Sequence, residues 1–92
     1  MRIHYDPLKN QRNIDERGLS FDEAAAFDFE TALFQVDERF DYGETRYVAL
    51  GLLHARVHVL CFSETSDGIR VISFRKANSR EVSRYAQVKA PD

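Results

Sequence analysis

The sequence predicts an α+β fold: a small antiparallel sheet with two helices before it and one after it. Three observations carry that expectation. Start and stop signals for helices bracket the first thirty residues. From Leu33 the apolar period drops from that of a helix to that of a strand, and the strand runs then follow one another through short turns, which implies antiparallel pairing. A capping pattern at Asn78 opens a last helix. At 92 residues there is room for a single domain, residues 1–92.

The elements are justified in chain order. Ile3-His4-Tyr5 is a short strand candidate. Asp6-Pro7 starts a helix, with Asp as N-cap and Pro at the first helical position; it runs to about Arg17 and stops at Gly18. Ser20-Phe21-Asp22-Glu23 has the form of a capping box and predicts a second helix through about Phe29. Leu33–Val36 reads as a strand, and Phe40–Thr45, with Asp41 and Gly43, as a loop. Arg46–Leu53 and Arg56–Ser63 read as strands joined at Leu53–Ala55. Thr65-Ser66-Asp67-Gly68 is a turn and Ile69–Phe74 the next strand. Asn78, with Glu81 three residues on, caps a helix reaching about Val88.

Apolar residues make up 43% of the chain, enough for a real, small core. One cysteine, Cys61, excludes an internal disulfide and a Cys-rich metal site; in the apolar run Arg56–Phe62 it reads as a buried thiol. No stretch approaches transmembrane length and no secretory leader pattern opens the chain, so a soluble cytoplasmic protein is expected, with no membrane partner.

Charge is segregated. The net charge is −2, yet residues 15–44 hold ten acids against Arg17 and Arg39, a net of −8. Residues 45–92 carry +4, and within 69–85 Arg70, Arg75, Lys76, Arg80 and Arg84 face the single acid Glu81. A local cationic edge on an acidic protein suits phosphate; the acidic half suits a basic protein partner, with Asp37, Glu38 and Asp41 as candidate docking charges.

Strand parity sorts the candidate groups. Arg56, His58, Leu60, Phe62 and Glu64 share one face, and Val57, Val59, Cys61 and Ser63 the other. Ile69, Val71, Ser73 and Arg75 share a face opposite Arg70, so Arg70 and Arg75 line one surface only if the strand bulges between them. In the last helix, Val82, Tyr85 and Ala86 form an apolar stripe beside the cationic pair Arg80 and Arg84. A metal shared by His54 and His58 is not expected, because four strand residues separate them by about 13 Å. No phosphate-cradling glycine loop and no nucleophile motif are present.

These residues resemble the BrnT family, ribonuclease toxins of type II toxin–antitoxin systems with a RelE-like fold. The likeness covers nearly the whole length. Tyr5-Asp6-Pro7, Lys9, Asn13 and Gly18–Ala24 look like the family's opening. Gly43-Glu44-Thr45-Arg46-Tyr47 resembles its loop into the first long meander strand. Glu64 takes the place of a family glutamate, and Arg70–Ala77 with Arg80-Glu81 and Tyr85 looks like the closing signature. Many members end the first helix in Lys-His, where this chain has Glu16-Arg17.

The resemblance implies a metal-independent endoribonuclease, without cofactor, that inhibits translation and growth. It is neutralised by a ribbon-helix-helix antitoxin and meets operator DNA only through that antitoxin. RNA carries its own nucleophile, the 2′-hydroxyl, so the protein supplies placement, proton transfer and cationic charge. On this reading Arg75 is the first candidate for the phosphate clamp, followed by Arg46 and Arg70. Glu64 or His58 is the base, Lys76 or Tyr85 assists the leaving group, and Arg80 and Arg84 bind RNA. Two other readings stand beside it: a non-catalytic module that binds nucleic acid or a partner, and an inhibitor of a protein target, as in the related ParE toxins.

Overall fold

The computed structural model describes residues 1–91. Five strands form one sheet in the order β1-β5-β4-β3-β2, with β1 Arg2–His4, β2 Leu33–Val36, β3 Tyr47–Leu53, β4 Arg56–Glu64 and β5 Gly68–Lys76. Helices α1, Pro7–Arg17, and α2, Ser79–Lys89, flank it. The class is α+β as expected, but the sheet is mixed. β2–β3, β3–β4 and β4–β5 are antiparallel, whereas β1 runs parallel to β5, with Arg2 opposite Gly68. No turn joins these two strands, so sequence adjacency could not reveal the pairing. Gly68 permits it: a Cβ there would overlap the Arg2 backbone.

The second expected helix is corrected. Phe21–Ala26 is a six-residue 3₁₀ helix, capped by the Ser20 side chain, and Phe27 is already extended. Phe21, Ala24 and Phe27 are buried at intervals of three, the period of a 3₁₀ helix rather than of an α-helix. The chain then leaves the helix as the Asp28 N–H bonds to Leu52 O. Phe27 meets Phe29 and Phe74 edge-on at centroid separations of 5.0 and 6.1 Å. Burying those rings outweighs the helix propensity of the alanines.

α1 begins and ends as read, with Asp6 accepting from Leu8 N–H and Gly18 left-handed at φ 66°. Its attachment is polar. Leu8 is 77% exposed and Asn13 is the helix's one buried residue. The Asn13 amide donates to Leu19 O and Phe74 O, both at 2.9 Å, and its oxygen accepts from Arg17. Asn10 accepts from the Phe21 N–H.

The inner face of the sheet packs Ala49, Leu60, Phe62, Ile69, Val71 and Phe74 under the 3₁₀ segment. On the outer face lies α2, none of whose residues is buried.

The β5 register holds one irregularity that decides what shares a face. Cys61 pairs with Ser73 and Phe62 with Val71, leaving Ile72 as a bulge. Parity therefore changes at Ile72. Arg70, Ser73 and Arg75 lie together on the outer face, opposite Ser63, Cys61 and Val59, while Lys76 lies on the inner face opposite His58. That one extra residue is the bulge on which a shared surface for Arg70 and Arg75 depended, and it moves Ser73 and Arg75 off the face of Ile69 and Val71.

Candidate active site

An open cleft of about 590 Å³ lies where the C-terminus of α1, the β3–β4 hairpin and the end of β5 converge. It is lined by Arg17, Glu23, His54, Arg56, His58, Arg75 and Lys76 together with Gly18, Leu19 and Leu53. Each element supplies its residue by ordinary local rules. Gly18 stops α1 so that Arg17 ends at the rim. The hairpin turns on His54 and Ala55, with φ 50° and 67°, the left-handed pair of a two-residue turn that normally takes Asn-Gly. His58 and Lys76 are cross-strand partners on the same face, which places their Cβ atoms about 5 Å apart.

His58 is 5% exposed and its ring lies against Phe74, centroids 5.6 Å apart. Its Nδ1 is 2.9 Å from Arg56 O. A carbonyl oxygen only accepts, so Nδ1 carries the hydrogen and, in the neutral ring, Nε2 is a bare acceptor. No protein group among the described residues hydrogen-bonds to Nε2. The buried ring, which lines the cleft, is thereby held in the tautomer whose Nε2 is free to accept a hydrogen bond.

The cations divide into free and neutralised sets. Among the described residues no carboxylate pairs with Arg17, Arg56 or Lys76; Arg17 donates to the neutral Asn13 amide at 2.7 Å. Glu23 is the cleft's one acid, and its oxygen lies 3.6 Å from His54 Nε2. Arg75 is committed elsewhere: its fork donates to both Glu81 oxygens at 2.8 and 3.0 Å. That hydrogen-bonded pair, aided by the Asn78 N–H, pulls the Glu81 carboxyl down to about 2 and raises Arg75. Glu81 and Asn78 also complete the capping box of α2, so Arg75 fastens the helix start to the end of β5.

The remaining expected site residues stand away from the cleft. Glu64 is exposed at the far end of β4, beside an apolar hollow with Phe29, Tyr47, Phe62 and Ile69. Six residues of strand put it about 20 Å from His58. Arg70 is paired with Glu44. Arg46 lies 3.8 Å from the same Glu44 and stacks over the Tyr42 ring, and its buried Nε has no hydrogen-bond partner. Tyr85 is half-buried on α2, and Arg80 and Arg84 are exposed there. The structure therefore brings His58, Arg75 and Lys76 together. It leaves Glu64, Arg46, Arg70, Tyr85, Arg80 and Arg84 outside that group.

Arg17, Arg56, His54 and Glu23 joined the cleft unannounced. Three came from elements treated as cap, strand end or hairpin joint, and the signal available was that all punctuate element boundaries. His54 is not on a strand with His58, as the distance argument assumed; it sits in the turn and faces the same cleft. Among the described residues no three His, Cys, Asp or Glu side chains converge as metal ligands. Cys61 is half-buried with its thiol pushed up by burial.

The family model for the ribonuclease toxin BrnT of type II toxin–antitoxin systems matches residues 5–81. The chain belongs to the BrnT family. As a BrnT toxin it falls among ribonucleases whose substrate is RNA and whose partner is an antitoxin. The matched span includes every cleft residue and the Arg75–Glu81 pair, and it stops before Arg84 and Tyr85. A search of curated proteins gives no match to this BrnT chain. None of its helices is long and apolar enough to cross a membrane among the described residues.

Proposed function

We propose that the cleft at the β3–β4 hairpin is where this toxin cuts RNA, by metal-independent attack of a 2′-hydroxyl on the neighbouring phosphate. The observation that carries the reading is His58: a buried imidazole with its tautomer fixed by Arg56 O and its Nε2 left bare beside Lys76. Nε2 takes the 2′-hydroxyl proton as the O2′–P bond forms. Arg17, Arg56 and Lys76 hold the phosphate as it gains charge, and Lys76 delivers a proton to the departing 5′-oxygen. Because no carboxylate among the described residues neutralises these three cations, their charge is available to an anion without first breaking an ion pair. Arg75 contributes from the cleft's edge as the strut that fixes α2.

Family membership supports a wider reading. RNA cleavage stops translation and growth in the cytoplasm. A ribbon-helix-helix antitoxin restrains the toxin and carries the pair to operator DNA. We read the arrangement of meander and helices as RelE-like, a reading the five-stranded sheet with its flanking helices supports. Arg80 and Arg84, exposed on α2 beside Tyr85, are assigned to RNA contact away from the reacting phosphate, whereas Arg46 and Arg70, held by Glu44, and the remote Glu64 take no part in the reaction.

The test is cleavage of RNA by the purified protein in excess chelator, comparing His58→Ala and Lys76→Met with wild type. Loss of a general base costs about 10²–10⁴ in rate. Wild-type turnover in His58→Ala overturns the assignment. No cleavage by any form, with intact RNA binding, leaves the non-catalytic module as the function.

A further inference from the structure

β2 closes one edge of the sheet, and three features make that edge unusual. Its one protection is its length of four residues; no lysine, no proline and no bulge lies within Leu33–Val36. Its side chains are open, with Phe34 51% and Val36 43% exposed, and Phe40 just beyond it 69% exposed. Hollows lie on both faces and share Phe34: one toward Phe29, Tyr47 and Phe62, with Glu64 at its rim, the other toward Val48, Leu50 and Val88, with Arg84 at its rim.

The ladder fixes which backbone groups are unused. The Asp37 N–H donates to Arg46 O, and Asp37 continues the register that pairs Gln35 with Val48 and Leu33 with Leu50. In an antiparallel pair these alternate residues are the hydrogen-bonded ones, so the N–H and C=O of Phe34 and Val36 point out from the sheet.

The surroundings select the occupant. Asp28, Glu30, Glu38 and Asp41 flank β2 in the chain. Asp37 is excluded from that set: it is buried, and Arg39 and Tyr42 hold its carboxyl well below the usual range, so it is structural. This corrects its place among the expected docking charges. A second copy of the chain would bring the same acids against these.

We propose that the free edge of β2 is the docking site for a basic, amphipathic segment of the antitoxin, which adds as a sixth strand. Alternate side chains of that segment fill the two hollows on either side of Phe34. Its cations answer the flanking acids. The inference rests on the type II partner described above but not on the cleft chemistry, since Val36 pairs with Tyr47, at the end of β3 remote from the hairpin that carries the cleft.

The experiment titrates the full-length cognate antitoxin into the toxin by calorimetry and measures RNA cleavage in parallel. Val36→Pro removes an outward N–H and leaves the β2–β3 ladder intact, a position where an edge strand accepts proline. Phe34→Glu serves where the proline variant melts early. Each variant is expected to weaken antitoxin binding roughly tenfold or more, about the cost of one lost main-chain bond or one buried ring, with cleavage unchanged. Antitoxin affinity equal to wild type in a folded variant overturns the proposal. So does a toxin dimer in sedimentation that disappears in Val36→Pro, because the edge then serves a second copy. Failure of the wild-type toxin to bind any antitoxin would instead overturn the toxin–antitoxin reading.

Discussion

Replacing Arg75 tests whether that residue is a strut or a phosphate clamp. In Arg75→Met the aliphatic bulk stays and the fork is lost, leaving Glu81 with the Asn78 N–H alone. The fall of the Glu81 carboxyl from 4.5 to about 2 corresponds to at most about 3 kcal/mol of preference for the charged form. The Arg75 side chain is 37% exposed, so screening reduces the pair's contribution to about 1–2 kcal/mol. In a domain of this size each kcal/mol moves the thermal midpoint by about 4–8 °C. The sign with pH follows from the lowered carboxyl. Its stabilisation is complete above the unfolded value of 4.5 and is lost as pH falls toward about 2. Urea unfolding of wild type and Arg75→Met should therefore differ most near neutral pH and converge near pH 2. Equal stabilities at pH 7 would refute the strut and return the guanidinium to service as a phosphate clamp. A gap that stays constant down to pH 2 would show that the loss comes from packing instead of charge. Glu81→Gln completes the comparison: a strut predicts lower stability without faster cleavage, whereas a restrained clamp predicts faster cleavage.

Three further outcomes are expected. Lys76→Met should lower RNA cleavage about 100-fold, the worth of one contact to a developing oxyanion, with urea unfolding within about 0.5 kcal/mol of wild type because the side chain is exposed. Ala55→Gly should stabilise the protein by about 0.5–1 kcal/mol in the same measurement, since Ala55 holds φ 67° at a steric cost that glycine avoids. Gly68→Ala should detach β1, because the new Cβ overlaps the Arg2 backbone; hydrogen exchange at Ile3 and His4 should then rise to the rate of open chain while the β3–β4 amides stay protected.

What was legible in the sequence was local. Asp6-Pro7 and Gly18 bound α1, Asn78 and Glu81 cap α2, and β2 and the three meander strands fall within two residues of the expected limits, because caps and periods act within a few residues. The rest depends on distant partners. β1 pairs with a strand more than sixty positions away. The 3₁₀ segment reflects where Phe21, Ala24 and Phe27 meet the sheet. The bulge at Ile72 answers a mismatch between two strands that neither encodes alone. The functional residues divide in the same way. His58 and Lys76 could be named from their chemistry, but that they face each other follows only from register. Arg75 had the right chemistry for a clamp, and Glu81, six residues on, had seemed only a cap.

Neutralisation is the property that counting charges cannot deliver. Within 69–85 five cations face one acid, which reads as surplus positive charge spread along the strand and helix. In the folded chain Arg75 is answered by Glu81, and Arg70 by Glu44 from the distant loop before β3. The most basic stretch of sequence therefore gives up its two strand arginines to structural pairs. Arg80 and Arg84 stay unpaired on α2, but among the described residues the unpaired cations of one cleft stand where three boundaries meet: Arg17 at the end of α1, Arg56 after the hairpin, and Lys76 at the end of β5. Backbone termini gather there, and side chains reach solvent without crossing a neighbouring strand. An anion entering the cleft meets no carboxylate on these cations among the described residues, whereas one approaching Arg70 or Arg75 must first displace one. A cleft assembled from element ends can thus bind phosphate on a protein of net charge −2, and it leaves the acidic edge at β2 for a partner of opposite sign.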